Sequence, residues 1–324
     1  MKQIRVEDAI GMVLGHDHTQ IIKDKFKGVR FPKGHIIKEE DIPVLLEMGK
    51  ETVFVFEIAP GMIHEDDAAA ILRDICMGPN LRAGTPNEGK IELFAECDGL
   101  LEINAEKLFR LNSAELIVIS SQLNNIPVKA GDKVAAMRVV PLLIEEHRLS
   151  TLQDEVSSPV FNILPYQRMN VAIFVTGSEI LHGRIQDTFS PVVLERLAKF
   201  PVETKIVRMV GDDIETIKDA IVEAHQAGID LIFCTGGMSV DPDDHTPGAI
   251  RAAGAKVVTY GTPVFPGAMF MLANFDDGGV VMGLPGGVMF AKTSILDLIL
   301  PRVIAGQRLT KADFANMAIG GLIS

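Results

Sequence analysis

A chain of 324 residues is long enough for about two domains of ~150 residues each, and its 47% hydrophobic content excludes global disorder. A net charge of −12 excludes a general nucleic-acid partner, because nothing across the surface offsets phosphate repulsion, yet it permits an anionic small molecule held by local N–H groups. Three scattered cysteines, an N-terminus without an apolar leader and the lack of any run of ~20 apolar residues predict a cytoplasmic protein with no disulfide framework and no membrane segment.

The first 160 residues read as a smaller, β-rich α+β accessory region. Phe31-Pro32-Lys33-Gly34 is a turn, Lys38 to Met48 a helix with Pro43 near its start, and Thr52 to Phe56 a strand. Asp66 to Cys76 spaces Ala69, Ile71, Leu72 and Ile75 along one helical side. From Gly89 the texture turns β, with strands expected at Ile91 to Ala95, Gly99 to Ile103, Glu115 to Ser120 and Lys133 to Pro141. Glu145 to Ser158 is polar and ends in Ser157-Ser158-Pro159, which predicts a linker.

Residues 161–308 change rhythm, and 309–324 are expected as a C-terminal tail. Asn170 to Thr176 is a continuous apolar run, as in a strand buried on both faces. Ser190 to Phe200 follows as a helix with Ser190 as its cap, then a strand from Thr204 to Val210 and a helix from Asp213 to Ala227. Further strands are expected at Asp230 to Cys234, Val257 to Tyr260 and from Val280, with helices at Pro247 to Ala253 and Ala291 to Ile304. Strands alternating with helices predict an α/β domain with a mostly parallel, helix-covered sheet, which binds ligands beyond the carboxyl ends of its strands.

Three glycine-bearing loops leave those ends: Thr176-Gly177-Ser178-Glu179, Thr235-Gly236-Gly237-Met238-Ser239, and Gly283-Leu284-Pro285-Gly286-Gly287. Each alone could be an ordinary tight turn. Three on one edge would converge on one crevice, where glycine lets N–H groups approach a phosphate oxygen. Glu179, Asp187, Asp212, Asp213, Asp241, Asp243 and Asp244 lie beside the loops. Carboxylates next to a phosphate require a hard cation such as Mg²⁺ between them, although Asp212 or Asp213 is equally placed to cap a helix. Thr246 is the better cap before Pro247, so Asp244 is assigned to metal or phosphoryl chemistry. His16-Asp17-His18 lacks a third ligand, and His245 reads as a polar loop residue. G-x-S-x-G, the P-loop and G-x-G-x-x-G are all absent, which removes the corresponding hydrolase, NTPase and dinucleotide readings.

Taken together, VTGSEI…GRIQDTFS, VGDDIETI, CTGGMSVDPDDHTP and GLPGG…LPRVIAG resemble the molybdopterin-binding domain of molybdenum-cofactor biosynthesis proteins, over about 135 residues in order. That family includes molybdopterin adenylyltransferases and molybdenum-insertion enzymes. FKGVRFPKGHIIKEEDIPVLLEMGKETVFV and VKAGDKVAAMRVVPLLI resemble, more loosely, the accessory region of insertion-enzyme-like proteins. The resemblance implies a three-layer α/β fold that binds molybdopterin or its nucleotide form, with Mg²⁺ and ATP or CTP supporting nucleotidyl or molybdenum transfer. It implies Asp212 and Asp244 as catalytic and metal-binding residues. Thr176, Gly177, Glu179, Asp187, Thr235, Gly236, Gly237, Ser239, Gly283, Pro285 and Gly286 are the implied substrate contacts.

The chain also departs from the insertion-enzyme pattern. Val264-Phe265-Pro266-Gly267-Ala268 carries apolar residues where that pattern has two lysines, and each lost charge-assisted contact is worth ~1.5–3 kcal/mol. Lys292 is the cation offered to replace them. The insertion enzymes' C-terminal β domain is expected to be missing. A homo-oligomer is expected, a dimer rather than a trimer. The alternatives are a Mg²⁺-dependent nucleotide pyrophosphatase or hydrolase on the same fold, and a non-catalytic cofactor carrier or sensor.

Overall fold

The computed structural model describes residues 2–22, 25–87, 89–157, 159–177, 186–239, 241 and 244–323. Its contacts divide the chain into two compact units, Met1–Asn124 with Val128–Ile163, and Asn125–Pro127 with Leu164–Ser324.

The first unit is built of short antiparallel sheets and helices. Strand Thr52–Phe56 pairs with Lys2–Arg5 and Val13–Leu14, and Val6, Leu14, Phe31, Ile37, Leu45, Val53 and Val55 form the core beneath it. Strand Lys133–Val139 lies between Ile117–Ser121 and Lys90–Ala95. Helix Glu65–Cys76 buries Ala68, Ala69, Leu72 and Ile75 and starts on the imidazole of His64, which accepts from the Asp66 amide. The expected helix from Lys38 shrinks to Asp41–Glu47, because Asp41 turns back to accept the Lys38 amide. The polar stretch expected as a linker is instead strand Leu143–Glu145 and helix Glu146–Glu155. Leu149 and Leu152 are buried, so two apolar side chains at i and i+3 anchor an otherwise polar helix.

In the second unit the strands are β1 (Met169–Thr176), β2 (Val202–Val210), β3 (Leu231–Thr235), β4 (Lys256–Tyr260), β5 (Met271–Asn274) and β6 (Val280–Leu284). The helices are α1 (Phe189–Leu197), α2 (Ile214–Gln226), α3 (Thr246–Ala252), α4 (Gly287–Phe290), α5 (Ile295–Ile304) and α6 (Lys311–Asn316). They build one six-stranded sheet in the order β2-β1-β3-β6-β5-β4. The β1–β2, β1–β3 and β3–β6 pairs are parallel, whereas β5 runs antiparallel to both its neighbours.

The apolar runs explain the layering. Alternate residues of a strand point to opposite faces, so a strand buried on both sides must be apolar throughout. Val171, Ile173 and Val175 of β1, with Leu231 and Phe233 of β3, pack under α1, α5 and α6. Ala172, Phe174, Ile232 and Cys234 face the other way, under α2 and α3. The result is a three-layer α/β domain. At ~1.5–3 kcal/mol per fully buried large apolar side chain, these two faces dominate its stability. The 309–324 segment, expected as a tail, contributes α6, whose Phe314 is wholly buried among the α5 side chains and Phe270.

Candidate functional site

Register brings the strand ends together. Thr176 pairs with Val210, Val175 with Thr235, and Thr235 with Leu284, so β1, β2, β3 and β6 release their following loops along one line. The Thr235-Gly236-Gly237 turn is drawn against the end of β1. A Cβ added to Gly236 would lie 2.5 Å from the Thr176 carbonyl oxygen and 2.8 Å from its Oγ1. With φ at +91° as well, only glycine fits there. Gly283 allows a similar approach from β6, since its Cβ would lie 2.5 Å from the Met238 side chain.

Hydrogen bonds then hold the turn from its carbonyl side. The Thr246 amide and hydroxyl donate to the Gly237 and Gly236 carbonyls at 3.2 and 2.8 Å. The Tyr260 hydroxyl lies 3.1 and 3.0 Å from the Met238 and Ser239 carbonyls. The Thr176 hydroxyl donates to the Thr235 carbonyl at 3.0 Å. The carbonyls of Thr235, Gly236 and Gly237 each accept a hydrogen bond, and those of Met238 and Ser239 share the single Tyr260 phenol proton. The Gly236 amide faces the Leu284 carbonyl at the end of the β3–β6 ladder, whereas the amides of Gly237, Met238 and Ser239 donate to no acceptor among the described residues. Consecutive free N–H groups on a turn with positive φ form a concave, electropositive nest suited to an anion. The Thr235 hydroxyl, wholly buried at the base of the turn, also has no partner.

The acidic residues separate into different roles. Asp213 caps α2 by accepting the Thr216 amide at 2.9 Å, and its carboxyl is held below the usual range by that residue's hydrogen bonds. Asp187 accepts the Phe189 and Ser190 amides at 2.8 and 3.1 Å, so it caps α1. This corrects Ser190 as the cap: Ser190 lies inside the first turn, buried, with an unpartnered hydroxyl. Thr246 likewise is not the cap of α3, because its hydroxyl is committed to the glycine turn. Asp244 closes a small turn with Asp241, each amide donating across it at 3.0 Å. His245 Nδ1 lies 2.8 Å from the Asp212 carbonyl, which ties the loop after β2 to the loop before α3. Among the described residues no three carboxylate, imidazole or thiol groups assemble into a metal site. Asp212 and Asp244 share a neighbourhood without forming a ready-made metal cage.

Of the remaining expected residues, Gly286 lies in open space and Lys292 is exposed with no ion-pair partner among the described residues. Pro285 is buried. The Gly177 amide donates to the Val210 carbonyl at 3.3 Å, and Glu179 lies outside the described residues. On the apolar departure, the Pro266 carbonyl accepts the first amide of α5, and a Cβ on Gly287 would lie 3.5 Å from Pro266. The Pro-Gly segment therefore adjoins the β6 loop, with Phe265 exposed.

Two contributors escaped the sequence reading. Tyr260 holds the nest from β4, and its phenol is pushed up by burial and by the nearby Asp244 charge. Arg196 is buried on the inner side of α1, where it pairs with Asp297 at 3.3 Å and donates to the Val288 and Ala291 carbonyls that follow β6. An arginine between Val193 and Leu197, on the apolar side of a helix, was the available signal.

A cleft of about 590 Å³ lies elsewhere, in the first unit, lined by residues from Asp17 to Leu143. Among the described residues, no helix is long and apolar enough to cross a membrane.

Residues 172–305 match a family model described as a probable molybdopterin binding domain, and residues 3–57 match a domain of unknown function, DUF8806. A molybdopterin molybdenumtransferase of Staphylococcus aureus is 28% identical over 141 residues, covering 41% of this chain and 33% of the relative. The chain thus matches about a third of the length of that curated relative. A probable FAD synthase of Caenorhabditis briggsae is 39% identical over 82 residues, covering 25% of this chain and 16% of the relative. The molybdopterin biosynthesis enzyme MoaB of Thermus thermophilus superposes with a TM-score of 0.34 at 21% identity, covering 43% of this chain and 98% of that one. The match to a probable molybdopterin binding domain thus falls wholly within the second unit.

Proposed function

We propose that this protein binds molybdopterin or its nucleotide form in molybdenum cofactor biosynthesis, with the ligand's phosphate at the Thr235–Ser239 turn. The observation that carries the reading is the turn itself. Its carbonyls are all engaged, while the three successive amides of Gly237, Met238 and Ser239 and the Thr235 hydroxyl have no partner among the described residues. A phosphate oxygen supplies the acceptors those donors lack. The β1 and β6 loops, with Thr176, Gly177, Glu179, Gly283, Pro285 and Gly286, would hold the rest of the ligand, with Lys292 as the cation beyond them. Asp187 serves by fixing the start of α1.

Catalysis in this proposal is nucleotidyl or molybdenum transfer, with ATP or CTP as nucleotide and Asp212 and Asp244 as the carboxylates. Their arrangement leaves most of the coordination shell of a Mg²⁺ ion to substrate oxygens and water, which suits this cation. The protein would act in the cytoplasm as a homo-oligomer, a dimer rather than a trimer.

The short match to a probable FAD synthase favours a second reading, nucleotide chemistry without a pterin, including a pyrophosphatase or hydrolase on the same fold. A non-catalytic carrier or sensor is the third. Calorimetry separates them. The first requires molybdopterin binding, and no heat with or without Mg²⁺ and ATP or CTP refutes it. Nucleotide turnover lost in Asp244→Ala supports catalysis, binding without turnover supports the carrier, and mononucleotide release without pterin supports the hydrolase. Thr235→Val tests the nest directly. It should weaken ligand binding without loss of stability, since it removes a hydroxyl that has no partner in the protein.

A further inference from the structure

The cleft of about 590 Å³ in the first unit has a divided chemistry. It is lined by Asp17, Lys33, Glu65 and Arg138, and by an apolar wall that includes Phe56, Val140 and Leu142. Both acids are already committed to the protein. Asp17 accepts the Lys33 backbone amide at 2.7 Å. Glu65 is 4% exposed, and Cβ atoms placed on Gly34 and Gly89 would lie 2.7 and 2.6 Å from its two carboxylate oxygens. Two glycines thus admit the backbone closely around one buried carboxylate.

The cations are not committed in the same way. The Lys33 side chain is exposed and has no ion pair among the described residues. Arg138 pairs loosely with Glu65 at 3.7 Å and donates from Nε to the Val139 carbonyl, but its side chain is 43% exposed, so part of the guanidinium stays open to the cleft. Two solvent-reaching cations in one cleft, one of them without an ion pair among the described residues, are not a by-product of a basic surface, since the chain carries a net charge of −12. Beside them Val140 is 57% exposed, which leaves apolar surface for the body of a ligand. The volume falls in the range of about 300–1,000 Å³ typical of small-molecule sites.

We propose that this cleft binds an organic phosphate of mononucleotide size, its phosphate between Lys33 and Arg138 and its apolar or aromatic body along Val140 and Leu142. The site is independent of the glycine turn in the second unit.

The test is calorimetry on the full chain with AMP as probe and with inorganic phosphate and adenosine as comparators, joined to photolabelling with 8-azido-AMP and peptide mapping. AMP should bind more tightly than either comparator. Lys33→Glu should weaken it by about tenfold or more, the equivalent of one charge-assisted contact. Val140→Glu, at an exposed position that leaves the Arg138–Glu65 pair intact, should do the same with unchanged circular dichroism. The label should map to peptides containing Phe56 or residues 138–143. Label confined to the second unit, AMP affinity unchanged in both variants, or phosphate binding as tightly as AMP would each overturn the proposal.

Discussion

Gly236 and Gly254 share a backbone φ of +91° but differ in their surroundings, and that pairing isolates the physical basis of the nest. A Cβ on Gly254, just beyond α3, meets nothing within 4 Å, whereas one on Gly236 would lie 2.5 Å from the Thr176 carbonyl. Gly254→Ala should therefore carry only the cost of an L-residue at positive φ, about 1–2 kcal/mol. Gly236→Ala adds a clash with backbone that cannot swing aside, about 1–3 kcal/mol more by analogy with overpacked cores. With a urea slope of about 1–3 kcal/mol per molar, the extra ~2 kcal/mol should move the unfolding midpoint by roughly 1 M. The assay has a convenient reporter. The chain has no tryptophan and two tyrosines, Tyr166 and Tyr260, both in the second unit, so tyrosine emission follows that unit. Equal destabilisation by the two substitutions would refute the argument that close approach to β1, beyond backbone conformation alone, demands glycine at 236.

Three further outcomes follow from particular contacts. Tyr260→Phe removes the donor to the Met238 and Ser239 carbonyls, so stability should fall by about 0.5–1.5 kcal/mol in urea titrations, with a larger fractional loss of ligand affinity. Burial pushes the Cys76 and Cys234 thiols up to about 12, so at pH 8 a thiol reagent should modify Cys97 alone in the native protein and all three cysteines in denaturant; native reaction at more than one site would count against this packing. For Asp313, burial opposes the charge, but the Thr310 hydroxyl and amide and the Arg302 guanidinium at 2.8 Å hold the carboxyl below its usual value. A lowered folded-state value means stability that is fully present above the unfolded carboxylate range and lost as pH falls through the folded value. Asp313→Asn should cost about 1–3 kcal/mol at pH 7 and flatten the acid limb of the stability–pH curve, which urea titrations from pH 7 down to about pH 3 would check.

Much of the second unit was legible because its signals are local. The runs NVAIFVT and DLIFC are apolar at every position, which only a strand covered on both faces tolerates, and Gly228 and Gly254 end helices where expected. The polar helix Glu146–Glu155 was not legible, because two buried leucines among charged residues resemble a linker until a neighbouring surface receives them. The capping assignments failed at Ser190 and Thr246 for a related reason. Each stands beside a proline at a helix start, but Asp187 reached the α1 amides first, and Thr246 is held by Gly236, ten residues away.

The glycine turn shows where the division lies. Composition and spacing alone determined that Thr235-Gly236-Gly237 would leave a buried parallel strand beside two similar loops, because periodicity and glycine's freedom are properties of neighbouring residues. Which of its polar groups stay free was decided by Thr176, Thr246 and Tyr260, which arrive from other strands and helices to occupy the carbonyls. Hydrogen-bond satisfaction is a count taken over all groups in reach, so an unoccupied row of amides exists only once the chain has folded.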